Sequence, residues 1–101
     1  MRITKAQAEK FLSKVEGEKC FFCNDGQVFC SLEELVEGLK KMEESVFSYH
    51  SNREKNDFAR WIEDVFGDKD LAKDLVALSL NRKASLKKIT NRIKVLKRIK
   101  A

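Results

Sequence analysis

Three cysteines and one histidine are the residues of this 101-residue chain best suited to chemistry. Their spacing, Cys20-x2-Cys23-x6-Cys30-x19-His50, offers the donor types of a Cys3His zinc site, in which two close thiolates and two distant ligands share a tetrahedral metal. Local geometry argues against that use. Residues three apart in a strand point to opposite faces, and Phe21-Phe22 is a poor turn for a zinc knuckle. Free cysteines are ordinarily small buried hydrophobes. No metal or other cofactor is therefore assigned, and Cys20, Cys23, Cys30 and His50 are simply the ligands a metal would have to use. Thioredoxin-like chemistry is weaker still, because this Cys-x-x-Cys does not open a helix that would stabilise a thiolate. A Cys20–Cys30 bridge is compatible with a hairpin, although an intracellular setting favours the reduced pair. A Cys–His–Asn nucleophile system drawn from His50, Asn56 and Asp57 finds no support in spacing. His50 is expected to satisfy buried backbone groups, and Asn56 or Asp57 to cap a helix. With no glycine-rich phosphate loop and no metal–carboxylate motif, the expectation is a protein that is not an enzyme.

The elements that position these residues follow from caps and periodicity. Thr4 and Gln7 form a capping box, and Ala8, Phe11, Leu12 and Val15 mark the buried face of a helix over about 5–16, closed by Gly17. Cys20–Cys23, Asn24-Asp25-Gly26 and Gln27–Cys30 form a β-hairpin. A three-residue turn with Gly26 at positive φ pairs Cys20 with Cys30 and Phe22 with Val28. A two-residue Asp25-Gly26 turn shifts that register by one, and both stay open.

Ser31 and Glu34 form a second capping box ahead of Leu32, Leu35, Val36, Leu39 and Met42, with Gly38 inside the helix where a close approach would explain it. Val46–His50 suits one short helical turn. A third helix, capped by Ser51 or Asn56 and stopped by Gly67, buries Phe58, Trp61, Ile62 and Val65. Asp68 caps a fourth with Leu71, Ala72, Leu75 and Leu78 inward, and a last helix runs from about Ala84 to Lys100. The reading is one α+β domain, mostly α, with about five helices and one short hairpin.

Charge divides the chain. Residues 1–81 hold twelve Lys/Arg and sixteen Asp/Glu, a net −4, whereas residues 82–101 hold nine Lys/Arg and no acid, a net +9. The overall +5 conceals this contrast between an acidic body over 1–81 and a basic amphipathic helix over 82–101. At 100° per residue, Leu86, Ile89, Ile93 and Leu96 fill an arc of about 80°, and Lys83, Lys87, Lys94, Lys97 and Arg98 lie beside it.

Such a row can follow a phosphate backbone. It can also meet the acidic residues Glu63, Asp64, Asp68, Asp70 and Asp74 of the same chain. Residues 82–101 contain no aromatic, so base stacking cannot come from them. The longest stretch without charge is the eight residues Ser45–Asn52, too short to span a bilayer. Met1-Arg2-Ile3-Thr4-Lys5 lacks a secretory pattern, which gives a cytoplasmic expectation.

Taken in order, Phe21–Val28, Ser31-Leu32-Glu33-Glu34-Leu35, Val46-Phe47-Ser48-Tyr49-His50, Asn56–Asp68 and Leu71-Ala72 resemble a small archaeal and bacterial family catalogued as a domain of unknown function. Its pattern is an Asp-Gly hairpin, a Ser-Leu-x-x-Leu helix, an aromatic-x-x-His segment and an Asn-Asp-Phe-x-x-Trp helix, covering roughly residues 20–78. The resemblance implies a mainly helical prokaryotic module and brings no activity or cofactor. It gives Phe47, His50, Asn56, Asp57, Phe58 and Trp61 the standing of a structural signature, and leaves the basic helix outside.

The functional expectation is a non-catalytic intracellular binding module whose last helix contacts nucleic acid or another polyanion. Two alternatives stand beside it. One is self-association or a protein partner through a Leu86, Ile89, Ile93 and Leu96 seam, and the other is a zinc-stabilised domain.

Overall fold

A computed structural model describes residues 2–101. Among them are six α-helices, α1 (Lys5–Phe11), α2 (Leu32–Lys41), α3 (Glu44–His50), α4 (Asp57–Trp61), α5 (Lys69–Ala77) and α6 (Arg82–Lys100), with antiparallel strands β1 (Phe21–Phe22) and β2 (Val28–Phe29). The fold is α+β and mostly α. The aromatic turn before His50 is a full helix, which makes six where the periodicity gives about five.

The capping box of α1 forms in both directions: Thr4 N–H donates to Gln7 Oε1 at 2.8 Å, and Gln7 N–H to Thr4 Oγ1 at 3.1 Å. The helix stops at Phe11 rather than near residue 16. Ser13 donates both its N–H and its hydroxyl to the Lys10 carbonyl, and Val15 N–H donates to the Cys30 carbonyl at 2.8 Å, so the chain leaves the helix to run beside the hairpin. Gly17, at φ 60°, opens a short 3₁₀ turn instead of closing α1.

In the hairpin Phe21 pairs with Phe29 and Phe22 with Val28, the register of the three-residue turn. Gly26 takes φ 93°, its N–H donates to the Cys23 carbonyl, and Cys23 N–H donates to the Gln27 carbonyl. That register sets Cys20 against Cys30 with Cα atoms 4.4 Å apart, and their sulfurs are bonded. The expected reduced pair is thereby corrected: cross-strand placement at this distance falls within disulfide reach.

Ser31 caps α2 by accepting Glu34 N–H at 3.1 Å, but the second capping box is only half made. Glu34 Oε1 accepts the Cys30 N–H at 2.8 Å, one residue earlier, and ties the hairpin's end to the helix start. Gly38 lies under the Phe29 ring, where a Cβ would overlap the ring carbons. The hairpin therefore packs directly on the α2 backbone.

Asn56 caps α4, and Gly67 ends the segment in the left-handed region at φ 82°. Between them the backbone widens into a π turn over Ile62–Phe66, with Gly67 N–H donating to the Ile62 carbonyl five residues back. The wider turn rotates the inward face. Phe66 is fully buried where α-periodicity selects Val65, which is only partly covered.

The core is one cluster. Leu32, Leu35, Leu39, Phe47, Ile62, Phe66, Leu71 and Leu75 share it with Ile89, Ile93 and Leu96 of α6, which packs on α1, α2 and α5. Residues 82–101 therefore contribute a helix to the body itself. No helix among the described residues is long and apolar enough to cross a membrane.

Gly38→Ala is expected to lose about 1–3 kcal/mol in urea unfolding through overpacking against Phe29, despite a gain in helix propensity of up to about 1 kcal/mol. The same substitution in a Phe29→Leu chain should cost less, and an unchanged midpoint in the parent chain would contradict the contact.

Candidate functional site, the cationic face of α6

The orientation of α6 is set by contacts at several levels. Asn81 caps it by accepting Ala84 N–H, and Ser85 donates its hydroxyl to the Leu78 carbonyl. Arg82 reaches across to α2 and α3, donating from Nη1 to the Leu39 carbonyl and from Nε to Glu44 Oε1, each at 2.8 Å. The deepest tie is Arg92 with Asp68. Arg92 donates from Nε to Oδ2 at 2.8 Å and from Nη2 to Oδ1 at 2.6 Å, while Oδ1 also accepts Leu71 N–H as the cap of α5. Asp68 is 1% exposed. Its hydrogen bond raises the Arg92 pKa above the ordinary guanidinium value, against burial, and Asp70 and Asp74 add to the field.

With Ile89, Ile93 and Leu96 inward, Lys83, Lys87, Lys94 and Arg98 point to solvent. They span about 60° of arc and ~22 Å of helix length, with the exposed Asn91 beside them. None of the four makes an ion pair among the described residues. Lys97 stands at the edge of the row, 3.3 Å from Glu33 of α2, with both side chains more than half exposed. Pairs of that kind contribute about 0–1 kcal/mol and release readily. The acidic patch meets other cations: Asp68 takes Arg92, Asp74 lies 3.9 Å from Lys88, and Asp64 lies 3.7 Å from Arg60.

The signature residues lie elsewhere. His50, 5% exposed, accepts the Asn24 N–H at Nε2 and bonds Asp57 Oδ2 through Nδ1, both at 3.0 Å, and so ties the hairpin turn to the start of α4. Asp57 also accepts from Lys55 Nζ at 2.9 Å. Asn56 accepts Ala59 N–H and donates to the Leu75 carbonyl and Ser79 Oγ. Trp61 Nε1 donates to the Lys19 carbonyl at 2.8 Å, and Phe58 stacks between Phe21 and Phe47.

A Cys–His–Asn nucleophile is not assembled, since Asn56 turns to α5 and both His50 nitrogens are engaged. A cleft of about 670 Å³ beside Asn56 is walled by Arg53, Lys55, Val76 and Leu80, but His50, Asp57 and Trp61 do not line it. Of the cysteines, only Cys23 is free, and burial pushes its thiol up. No group of three or more His, Cys, Asp or Glu suited to a metal ion occurs among the described residues.

Arg92 and Arg82 are the residues that sequence reasoning passes over; Asp68 is read as a cap and an acidic-patch member, not as the partner of Arg92. Arg92 falls at the margin of the apolar arc of α6, and a cation there, with a buried helix cap available to it, was the readable signal. The fold and this face define a small helical module with a rigidly held basic helix. Family comparison then places it: the model of a family of unknown function, DUF5752, matches residues 14–100, and the chain belongs to that family. The match takes in all of α6, which the resemblance over 20–78 leaves outside. No curated protein and no solved structure matches the chain significantly.

Asp68→Ala, which strands Arg92, is expected to cost about 3–5 kcal/mol in urea unfolding, and Asp68→Leu with Arg92→Met should recover most of it. Equal losses in both chains would contradict the pairing.

Two carboxylates carry an acid signature. The Cys30 N–H, and then Lys14, lower the Glu34 pKa. Burial pushes Asp57 up but is outweighed by Lys55 and His50, which hold it low. A depressed pKa contributes stability that is fully present above the unfolded values, about 4.3 for Glu and 3.9 for Asp, and is lost as pH falls through the folded values. Glu34→Gln and Asp57→Asn should each flatten the loss of stability measured between about pH 5 and 2. A slope as steep as the parent's would contradict the assignment.

Proposed function

We propose that the protein is a non-catalytic cytoplasmic binding module that holds a polyanion, nucleic acid, along the outer face of α6. The observation that carries this reading is the row Lys83, Lys87, Lys94 and Arg98, exposed and without ion pairs among the described residues, on a helix whose opposite face is locked in the core. Leaving four cations unneutralised on one rigid line raises local self-repulsion, which a phosphate backbone relieves while releasing its counterions. Contact is with the backbone, because the segment has no aromatic for stacking. The Cys20–Cys30 bond accords with a cytoplasm of the hyperthermophilic kind, where intracellular disulfides persist, and the Lys- and Glu-rich composition suits the same setting.

Self-association through Leu86, Ile89, Ile93 and Leu96 loses its surface, because the last three are buried in the chain's own core. A zinc-stabilised domain loses two of its ligands to the disulfide.

Fluorescence anisotropy with labelled oligonucleotides across a salt series tests the reading. Four contacts give a log–log slope of about −3.6 on a duplex or −2.8 on a single strand, and release of Lys97 from Glu33 steepens these to about −4.5 and −3.5. Charge reversal at Lys87 and Lys94 should weaken binding at ~50 mM salt by tenfold or more. Absence of binding at that salt, or indifference to the reversal, would sink the reading.

A further inference from the structure

We infer that the nucleic acid held by α6 is a single strand and not a duplex; this rests on the polyanion reading above. The argument lies in what flanks the cationic row. On one side α2 presents Glu33 and Glu37 to α6: both line the groove shared with Thr90, Ile93, Lys94 and Lys97. On the other side α5 sorts its charges. Asp70 and Asp74 lie toward α6, where their field reaches Arg92 and Asp74 meets Lys88, whereas Lys73 lies toward α4, beside Arg60 and Asp64, and Lys69 borders both that cleft and the one that Asp68, Asp70 and Arg92 share with α1. The row therefore runs along a crest with carboxylates on both shoulders, where Glu33, Glu37 and Asp74 hold exposed ion pairs with Lys97, Lys40 and Lys88, and Asp70 has no ion pair among the described residues.

A duplex cannot use that crest without meeting the shoulders. Its major groove is about 12 Å wide, and a helix with side chains is about 10–12 Å across, so α6 would fill the groove and bring its neighbours, packed 8–10 Å away, onto the two phosphate ridges. Those ridges would face Glu33 and Glu37 on one side and Asp70 and Asp74 on the other. Laying the duplex across the helix instead leaves most of the ~22 Å row without phosphates. A single strand is narrow enough to lie along the crest in single file, reaching Lys83, Lys87, Lys94 and Arg98 in turn while its second flank stays in solvent. Asn91, exposed beside the row, can donate to the same backbone. With no aromatic on the helix, the strand is held without base preference.

The test compares a labelled single strand of about 20 nucleotides with its duplex at ~50 mM salt, in the parent chain and in a chain carrying Glu33→Gln, Glu37→Gln and Asp74→Asn. These three side chains are exposed, and their exchange leaves the core untouched; it also frees Lys97, Lys40 and Lys88 from their pairs, which raises affinity for both ligands, so the ratio of the two affinities is the readout. The parent should bind the single strand about tenfold more tightly than the duplex, and homopolymeric and mixed strands within about threefold of each other. Removing the shoulder carboxylates should cut the single-strand preference to about threefold or less, through a larger gain in duplex than in single-strand affinity. Equal or tighter duplex binding by the parent, or a preference unmoved by the triple exchange, would overturn the inference while leaving polyanion binding in place. Failure of both ligands to bind would overturn the polyanion reading itself.

Discussion

The contact between Asp68 and Arg92 joins three parts of the molecule. The carboxylate follows the π turn, caps α5 and receives a forked guanidinium from the middle of α6. A bidentate arginine–carboxylate pair has a defined plane and direction, so it sets how α6 is rotated about its own axis as well as where it lies. Once Arg92 is turned toward α5, the spacing of the helix sends Ile89, Ile93 and Leu96 into the core and Lys83, Lys87, Lys94 and Arg98 away from it. A buried pair of this kind is a poor source of net stability, because desolvation offsets most of its attraction. Its contribution is orientation, and the cationic face depends on that orientation.

The signature residues serve a second junction. His50, Asp57 and Asn24 tie the hairpin turn to the start of α4, Trp61 reaches the chain just before β1, and Asn56 spans from α4 to α5. Each bonds a backbone group or a neighbouring side chain, and no buried side-chain polar atom lacks a partner among the described residues. The hairpin, too small to be stable alone, is held from three directions: the Gly38 backbone below Phe29, the Glu34 carboxylate at Cys30, and His50 at its turn.

Most of the element order could be read from the chain, because caps and periodicity are local. Thr4, Ser31, Asn56 and Asp68 each cap where their side chains suggest, and Gly67 stops the segment it follows. The departures arise where distant contacts decide. Val15 leaves a helix-compatible run to pair with Cys30, which truncates α1; the π turn, whose inserted residue has no periodic signature, exchanges Val65 for Phe66. The cationic residues were recognisable as a group, but the division between four unpaired members and Lys97 depends on Glu33, far away in sequence. The division between an acidic body over 1–81 and a basic helix over 82–101 rests on net charge. That sum is blind to the four apolar positions that place it in the core.

The central claim is that α6 is an integral core helix whose rotation fixes a rigid cationic crest. Native-state hydrogen exchange reads this most directly. The amides of Ile89, Arg92, Ile93 and Leu96 should exchange only through global unfolding, with opening free energies equal to the stability from denaturant unfolding. Exchange of those amides through a local opening of much lower free energy, while α2 and α5 stay protected, would mean that α6 detaches as a separate element and would contradict the account.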